Sequence, residues 1–200
     1  MNKRGQETRE HIKRCACSLF AGKGFKAVTM KDVCEAAGLS RGGLYCHYES
    51  TRQIFREIME DMMSRQEDVF EEKIGRGEPA VTILDEVLEN YRREMLDGEA
   101  SLSVAIYEYF SSPDVAGGKN ALYEQYVMSG DAWKKLLRYG IERGEFCKVD
   151  IDAVFDLIVF SYQGVRMYSK LMPVDEEIPA RILREIRKIL VRSEDDGDDF

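Results

Sequence analysis

The chain has 200 residues, 44% of them hydrophobic, with only 4 prolines. That length suits one large domain or two smaller ones around a packed core. The formal net charge of −8 argues against nucleic acid at first sight, yet residues 1–52 carry ten basic and five acidic residues, while the remainder is thirteen charges more acidic than basic. A polyanion is drawn to the first segment and repelled by the rest.

The apolar spacing predicts a first helix over about 8–22, with Ile12, Ala16, Leu19 and Phe20 on one stripe and Lys13, Arg14 and Lys23 off it. Gly22 and Gly24 stop it. Thr29 caps a second helix, and Asp32 three residues on resembles the partner of a capping box. Met30, Val33, Ala36 and Ala37 make its inner face, and Gly38 ends it after barely two turns by supplying a positive-φ residue. Ser40 caps a still shorter third helix, with Leu44 and Tyr48 inward. Ser50 caps a long fourth helix, about 50–74, striped by Ile54, Phe55, Ile58, Met62 and Val69.

Two short helices around a glycine turn have the organisation of a helix-turn-helix. They cannot make a core alone. The Leu19/Phe20 face of the first helix completes it, and Phe25 and Val28 close the bottom. Gly42 and Gly43 are the oddity, since each interior helix glycine costs about 0.5–1 kcal/mol relative to alanine.

The run SLFAGKGFKAVTMKDVCEAAGLSRGGLYCHYES, residues 18–50, resembles the DNA-binding signature of the TetR family of bacterial transcriptional regulators. The matching features are Leu19-Phe20 ahead of Gly24-Phe25, Thr29-Met30, the Ala36-Ala37-Gly38-Leu39-Ser40 turn, and Gly42-x-Leu44-Tyr45-x-His47-Tyr48. The likeness covers about residues 8–60. It departs from the family's pattern at Gly43, where a small hydroxylated residue or alanine is usual, and at Thr51-Arg52, near which lysine is common.

Specific recognition by such a module sets the third helix, N-terminal end first, in the major groove. Gly42 and Gly43 then let the backbone approach the duplex, and Arg41 can donate a bidentate pair to guanine. The resemblance implies that Thr29, Ser40, Tyr45, His47 and Arg52 touch phosphate, with Lys31 a candidate of the same type; such contacts position without reading sequence. Thr29 and Ser40 would cap helices in any case. His47 lacks partners at metal-ligand spacing, so neither a metal nor a cofactor is expected.

Beyond Ile74 the pattern predicts a fifth helix opened by Pro79 and running to about Leu96, a sixth over 100–111, a seventh over 119–143 after Gly117-Gly118, and a strongly apolar eighth from Ile151 to Leu171. A ninth opens at Pro179, with Ile182, Leu183, Ile186, Ile189 and Leu190 striped. The expected architecture is therefore all-α, with about nine helices. Residues 1–50 form the DNA-binding domain, 51–193 a helical effector-binding and dimerisation domain, and 194–200 an acidic disordered tail.

The last two helices are the candidate homodimer interface, since a four-helix bundle would let two heads read two half-sites. The resemblance places a small-molecule effector pocket in the aromatic-rich middle, for which Tyr107, Phe110, Tyr126, Trp133, Tyr162 and Arg166 are candidate lining residues; aromatic walls with a few polar groups suit such a site. Effector binding would shift the fourth helix and misplace the recognition helices.

The expected function is a repressor released from a palindromic operator by its effector. An architectural or division-control DNA-binding protein on the same fold, without an effector, is the alternative. An enzyme is disfavoured: both histidines fall in the first 47 residues, with no nucleophile motif and no phosphate-binding glycine loop. No apolar run reaches the roughly 18 residues of a membrane span, and the start is too polar for a secretory signal. Five cysteines without a C-x-x-C pair fit free thiols in a bacterial cytoplasm.

Overall fold

The computed structural model describes residues 3–64, 70–98, 101–113, 115 and 120–191. Among the described residues there are ten helices and no strand: α1 (Lys3–Lys23), α2 (Met30–Ala37), α3 (Arg41–Tyr45), α4 (Thr51–Ser64), α5 (Glu71–Gly75), α6 (Ala80–Leu96), α7 (Ser103–Phe110), α8 (Ala121–Glu142), α9 (Ile151–Tyr168) and α10 (Glu177–Leu190). The chain divides into two compact units. Met1–Gln66 with Glu99–Tyr123 form the first, and Glu67–Gly98 with Glu124–Phe200 the second. In packing, α4 and α7 therefore belong with α1, α2 and α3.

The core of the first unit contains Ile12, Ala16 and Phe20 from α1, Val33 and Ala37 from α2, Leu44 from α3, and Ile54, Phe55, Ile58 and Met59 from α4. Phe25 links loop to core. Its ring lies 5.9 Å from that of Phe20, 5.2 Å from Phe55 and 5.1 Å from Tyr109 of α7. The turns follow the sequence rules. Gly38 is left-handed at φ 64° and closes α2, while Gly24, at φ 79°, closes α1 by donating its N–H to the Phe20 carbonyl at 2.9 Å.

Several expectations change. α1 starts earlier, at Lys3, and Gly22 lies inside it. Lys13, expected off the buried stripe, is only 6% exposed. It is buried because Glu10, Glu57 and Asp61 surround its ammonium group. Ala36 is exposed rather than inward, and so is Met62, because Val33 and Ala37, and Ile58 and Met59, fill those inner faces.

The single helix expected over 50–74 is two, α4 and α5, whose residues serve different cores: Met59 packs in the first unit and Phe70 in the second. This accounts for ten helices rather than nine. Val69, the Gly117-Gly118 pair and the acidic tail 194–200 lie outside the described residues. Pro79 is the N-cap of α6 rather than its first helical residue. Pro179 falls in the first turn of α10, where a missing N–H costs no helical bond.

In the second unit α6, α9 and α10 pack on one another, with Leu84, Leu136, Leu137, Ile158 and Leu190 almost fully buried. Trp133 of α8 sits in the same core. After α8 the chain reverses at Gly144, at φ 72°, and lays Phe146 over Gly140. A Cβ at Gly140 would stand 2.2 Å from the Phe146 ring. Alanine normally stabilises a helix interior relative to glycine, by about 0.5–1 kcal/mol. At Gly140 the sign should reverse: Gly140→Ala is expected to destabilise by about 1–3 kcal/mol through overpacking, read as a lower midpoint of urea unfolding.

Candidate nucleic-acid interface

The short helices that would meet a duplex are held by their caps. Thr29 accepts the Asp32 N–H at 3.2 Å, and the Asp32 carboxylate accepts the Thr29 N–H at 2.9 Å, a complete capping box. The Thr29 hydroxyl also donates to Asp32. Lys23 at 2.8 Å fixes the same carboxylate from the end of α1. Together, Lys23 first and Thr29 next, they hold the Asp32 carboxyl well below the usual carboxylate range. Ser40 caps α3 by accepting the Gly43 N–H at 3.1 Å. That bond uses an acceptor lone pair and leaves the Ser40 O–H to donate elsewhere.

Of the expected DNA contacts, Thr29, Lys31, Ser40, Arg41, Gly42 and Tyr45 are exposed, whereas Gly43, His47 and Arg52 are half-buried. Leu44 and Tyr48 are buried on the opposite side, as their spacing requires. Arg41 lies over the ring of Tyr45, 5.6 Å from its centroid. Arg52 sits over two rings of the core, 5.9 Å from Phe25 and 5.4 Å from Tyr109.

The two glycines differ. A Cβ at Gly42 would meet nothing within 4 Å, which removes a helix-packing reason for its absence. A Cβ at Gly43 would sit 3.3 Å from the Ser40 hydroxyl oxygen, so that glycine also protects the cap.

Two features escaped the sequence reading. Arg9 and Lys13 of α1 face Glu57 and Asp61 of α4. Both pairs are spaced i, i+4, and that matched spacing was the available signal. Burial disfavours the charged form of Glu57, but hydrogen bonding to Arg9 and the nearby charge of Lys13 outweigh it and hold its pKa down. Glu108 of α7 accepts the Lys26 N–H at 2.8 Å and occupies the space a side chain at Gly24 would need.

The residues expected to line an effector pocket are divided between the two units. Tyr107, 64% exposed, and Phe110 lie in the first unit. In the second, Trp133 donates its indole N–H to the Tyr91 hydroxyl at 3.2 Å, and the Tyr91 ring lies 4.3 Å from that of Tyr162. Tyr162 donates to Glu94 and accepts from Arg166 at 2.7 Å. Burial, together with the Glu94 carboxylate, pushes the Tyr162 phenol up. Tyr126 instead bonds Asp156 and packs against Phe155 and Phe160.

This arrangement, two capped short helices packed with α1, α4 and α7, is one that known proteins share. The profile of a family described as "Bacterial regulatory proteins, tetR family" matches residues 14–58. The uncharacterized HTH-type transcriptional regulator YfiR of Bacillus subtilis (strain 168) is 33% identical over 154 residues, covering 70% of this chain and 71% of that protein. The chain belongs to the TetR family of bacterial regulators. It is a DNA-binding transcriptional regulator, not an enzyme.

The HTH-type transcriptional repressor KstR2 of Rhodococcus jostii (strain RHA1) is 29% identical over 142 residues, covering 70% of this chain and 69% of that one. For the fold, a TetR-family transcriptional regulator from Agrobacterium tumefaciens superposes with a TM-score of 0.77 at 15% identity, over 94% of this chain and 99% of that one. Among the described residues no group of three or more His, Cys, Asp or Glu could hold a metal, and no helix is long and apolar enough to cross a membrane.

The Asp32 cap carries a pH dependence. Its folded pKa lies below an unfolded value near about 3.9, so its stabilisation is present above roughly pH 4 and lost as pH falls through the folded value. Asp32→Asn is expected to flatten the fall of the thermal midpoint between about pH 5 and 2, measured by circular dichroism.

Proposed function

We propose that this regulator is a repressor that binds a palindromic operator as a homodimer and is released by a small-molecule effector. The observation that carries the reading is the exposed end of α3, Ser40 to Gly42, where Gly42 has no neighbour to explain its missing side chain. In this reading Arg41 reads a base, Thr29, Lys31, Ser40, Tyr45, His47 and Arg52 engage phosphate, and Gly42 and Gly43 allow close approach. Residues 1–50 form the DNA-binding domain, with Arg52 just beyond it; 51–193 serve effector binding and dimerisation. The protein works in the bacterial cytoplasm.

The homodimer forms through α9 and α10. α9 buries Val154, Phe155, Ile158, Tyr162 and Val165, yet leaves Leu157, Phe160 and Tyr168 exposed along its outer side. Ile189 of α10 is exposed as well, among Arg184, Glu185 and Lys188. A second copy covering this face would give the closed two-fold interface usual for such oligomers.

Effector binding centres on Trp133, Tyr162 and Arg166. The buried Nε of Arg166 has no hydrogen-bond partner among the described residues, which suits a ligand bearing an acceptor. Tyr126, Tyr107 and Phe110 are weaker members of the set, being engaged elsewhere or exposed. The effector acts by favouring a state in which α4 is displaced and the two α3 helices no longer match one turn of DNA. Linkage requires that DNA weaken effector binding by the same factor.

Selection from random duplexes, with and without a metabolite extract, is expected to return a palindrome whose half-sites lie about one helical turn apart and whose binding the extract abolishes. Many unrelated sites with no release would favour the architectural alternative. Gly42→Ala is expected to keep or raise stability, by up to about 1 kcal/mol. The same change should weaken binding to the selected duplex about tenfold or more, measured by fluorescence anisotropy; unchanged affinity removes the close-approach role.

A further inference from the structure

The geometry points to Arg9 as a positioning residue for the DNA-reading segment, acting through the His47 backbone and the Tyr48 ring rather than by touching DNA. The inference rests on DNA binding by the α2–α3 head. One guanidinium group makes three kinds of contact. Its Nη1 donates to the His47 carbonyl oxygen at 2.7 Å. Its plane lies over the Tyr48 ring, with Cζ 4.2 Å from the centroid. Nε donates to one Glu57 oxygen at 3.4 Å, and Nη2 to the other. Arg9 thus ties α1 to α4 and to the chain just past α3 at once.

That chain needs such a hold. α3 has five residues, and His47 and Tyr48 follow it directly. Tyr48, 1% exposed, anchors the segment from beneath, and Arg9 fixes the adjacent carbonyl from the side. Tyr45 stands less than a turn before this clamp and Arg41 nearly two turns before it, at the other end of a five-residue helix, so its loss would loosen their aim without removing any group that touches DNA.

Arg9 is poorly placed to bind phosphate itself. Its side chain is 20% exposed, and its charge is already met by Glu57, which also faces Lys13 at 3.5 Å. A phosphate would have to displace that carboxylate. A lysine cannot replace the arrangement, because a single ammonium group cannot present a planar fork to a carboxylate, lie over a ring and reach a carbonyl together.

The test compares wild type, Arg9→Lys, Arg9→Gln and Glu57→Gln on the selected duplex and on a scrambled one, over a series of salt concentrations. Active fractions are set by stoichiometric titration. Arg9→Lys and Arg9→Gln are each expected to weaken specific binding about tenfold or more, with Glu57→Gln weaker in the same direction. The salt slope should stay at the wild-type value and scrambled-duplex affinity should change less than about twofold.

Full affinity in Arg9→Lys, with a slope lowered by about one charge in Arg9→Gln, would mean a direct phosphate contact and overturn the inference. Unchanged affinity per active molecule with a lower melting midpoint would mean a purely structural role and overturn it too. If the arginine variants do not fold, unchanged affinity in Glu57→Gln overturns it. If wild type binds no duplex, the DNA-binding reading fails first; if wild type binds and the variants bind equally, only the role of Arg9 fails.

Discussion

The head of this protein depends on the seam between α1 and α4. Its floor is apolar: Phe20 meets Phe55 edge-on with centroids 5.0 Å apart, beside buried Ile12, Ala16, Ile54 and Ile58. Its edge is ionic, with Arg9 and Lys13 facing Glu57 and Asp61. The apolar part supplies the energy, about 1.5–3 kcal/mol for each large side chain taken out of water. The ionic part adds little net stability, because burying Lys13 costs desolvation that its carboxylates only offset. Its effect is register: sliding α4 by one turn would leave only one of the two carboxylates, Glu57 or Asp61, beside the Arg9 and Lys13 pair.

On that seat the two short helices α2 and α3 need little stability of their own. A helix of five residues, two of them glycine, would not form alone, since helix nucleation is unfavourable and isolated helices below about 12–15 residues are marginal. Here α3 is fixed from its ends. Ser40 caps the start, and buried Leu44 and Tyr48 pin the far side. The exposed edge is thereby released from any structural duty, so its residue types can answer to a ligand. Gly42, in open space, follows from that freedom; Gly43 is constrained twice, by the cap as well as by any duplex.

The second unit divides its aromatic residues between two tasks. Tyr91, Trp133 and Tyr162 are tied by hydrogen bonds and ring contacts inside, together with Glu94 and Arg166. Phe160 and Tyr168 of α9 stand outside at 65% and 58% exposure. Polar atoms inside a core must find partners, so the inner group is specified by its hydrogen bonds. The outer side chains have no such demand and are spaced by helix geometry alone.

The sequence by itself determined what acts over a few residues. The capping box of Thr29 and Asp32, the left-handed Gly38, the Ser40 cap and the inward pair Leu44 and Tyr48 all follow from local hydrogen bonding and a 3.6-residue period, and the structure has each of them. The family likeness rested on the same short-range pattern. What only the tertiary structure decided involves residues distant in sequence. Lys13 reads as a solvent residue until Glu57 and Asp61 arrive from α4; the stretch expected as one fourth helix reads as continuous until its halves enter different cores. Gly140 reads as a weak helix position until Phe146 folds over it. Periodicity reports which face of a helix is apolar, but the partner of that face is chosen by packing across the whole chain, and no local pattern encodes it.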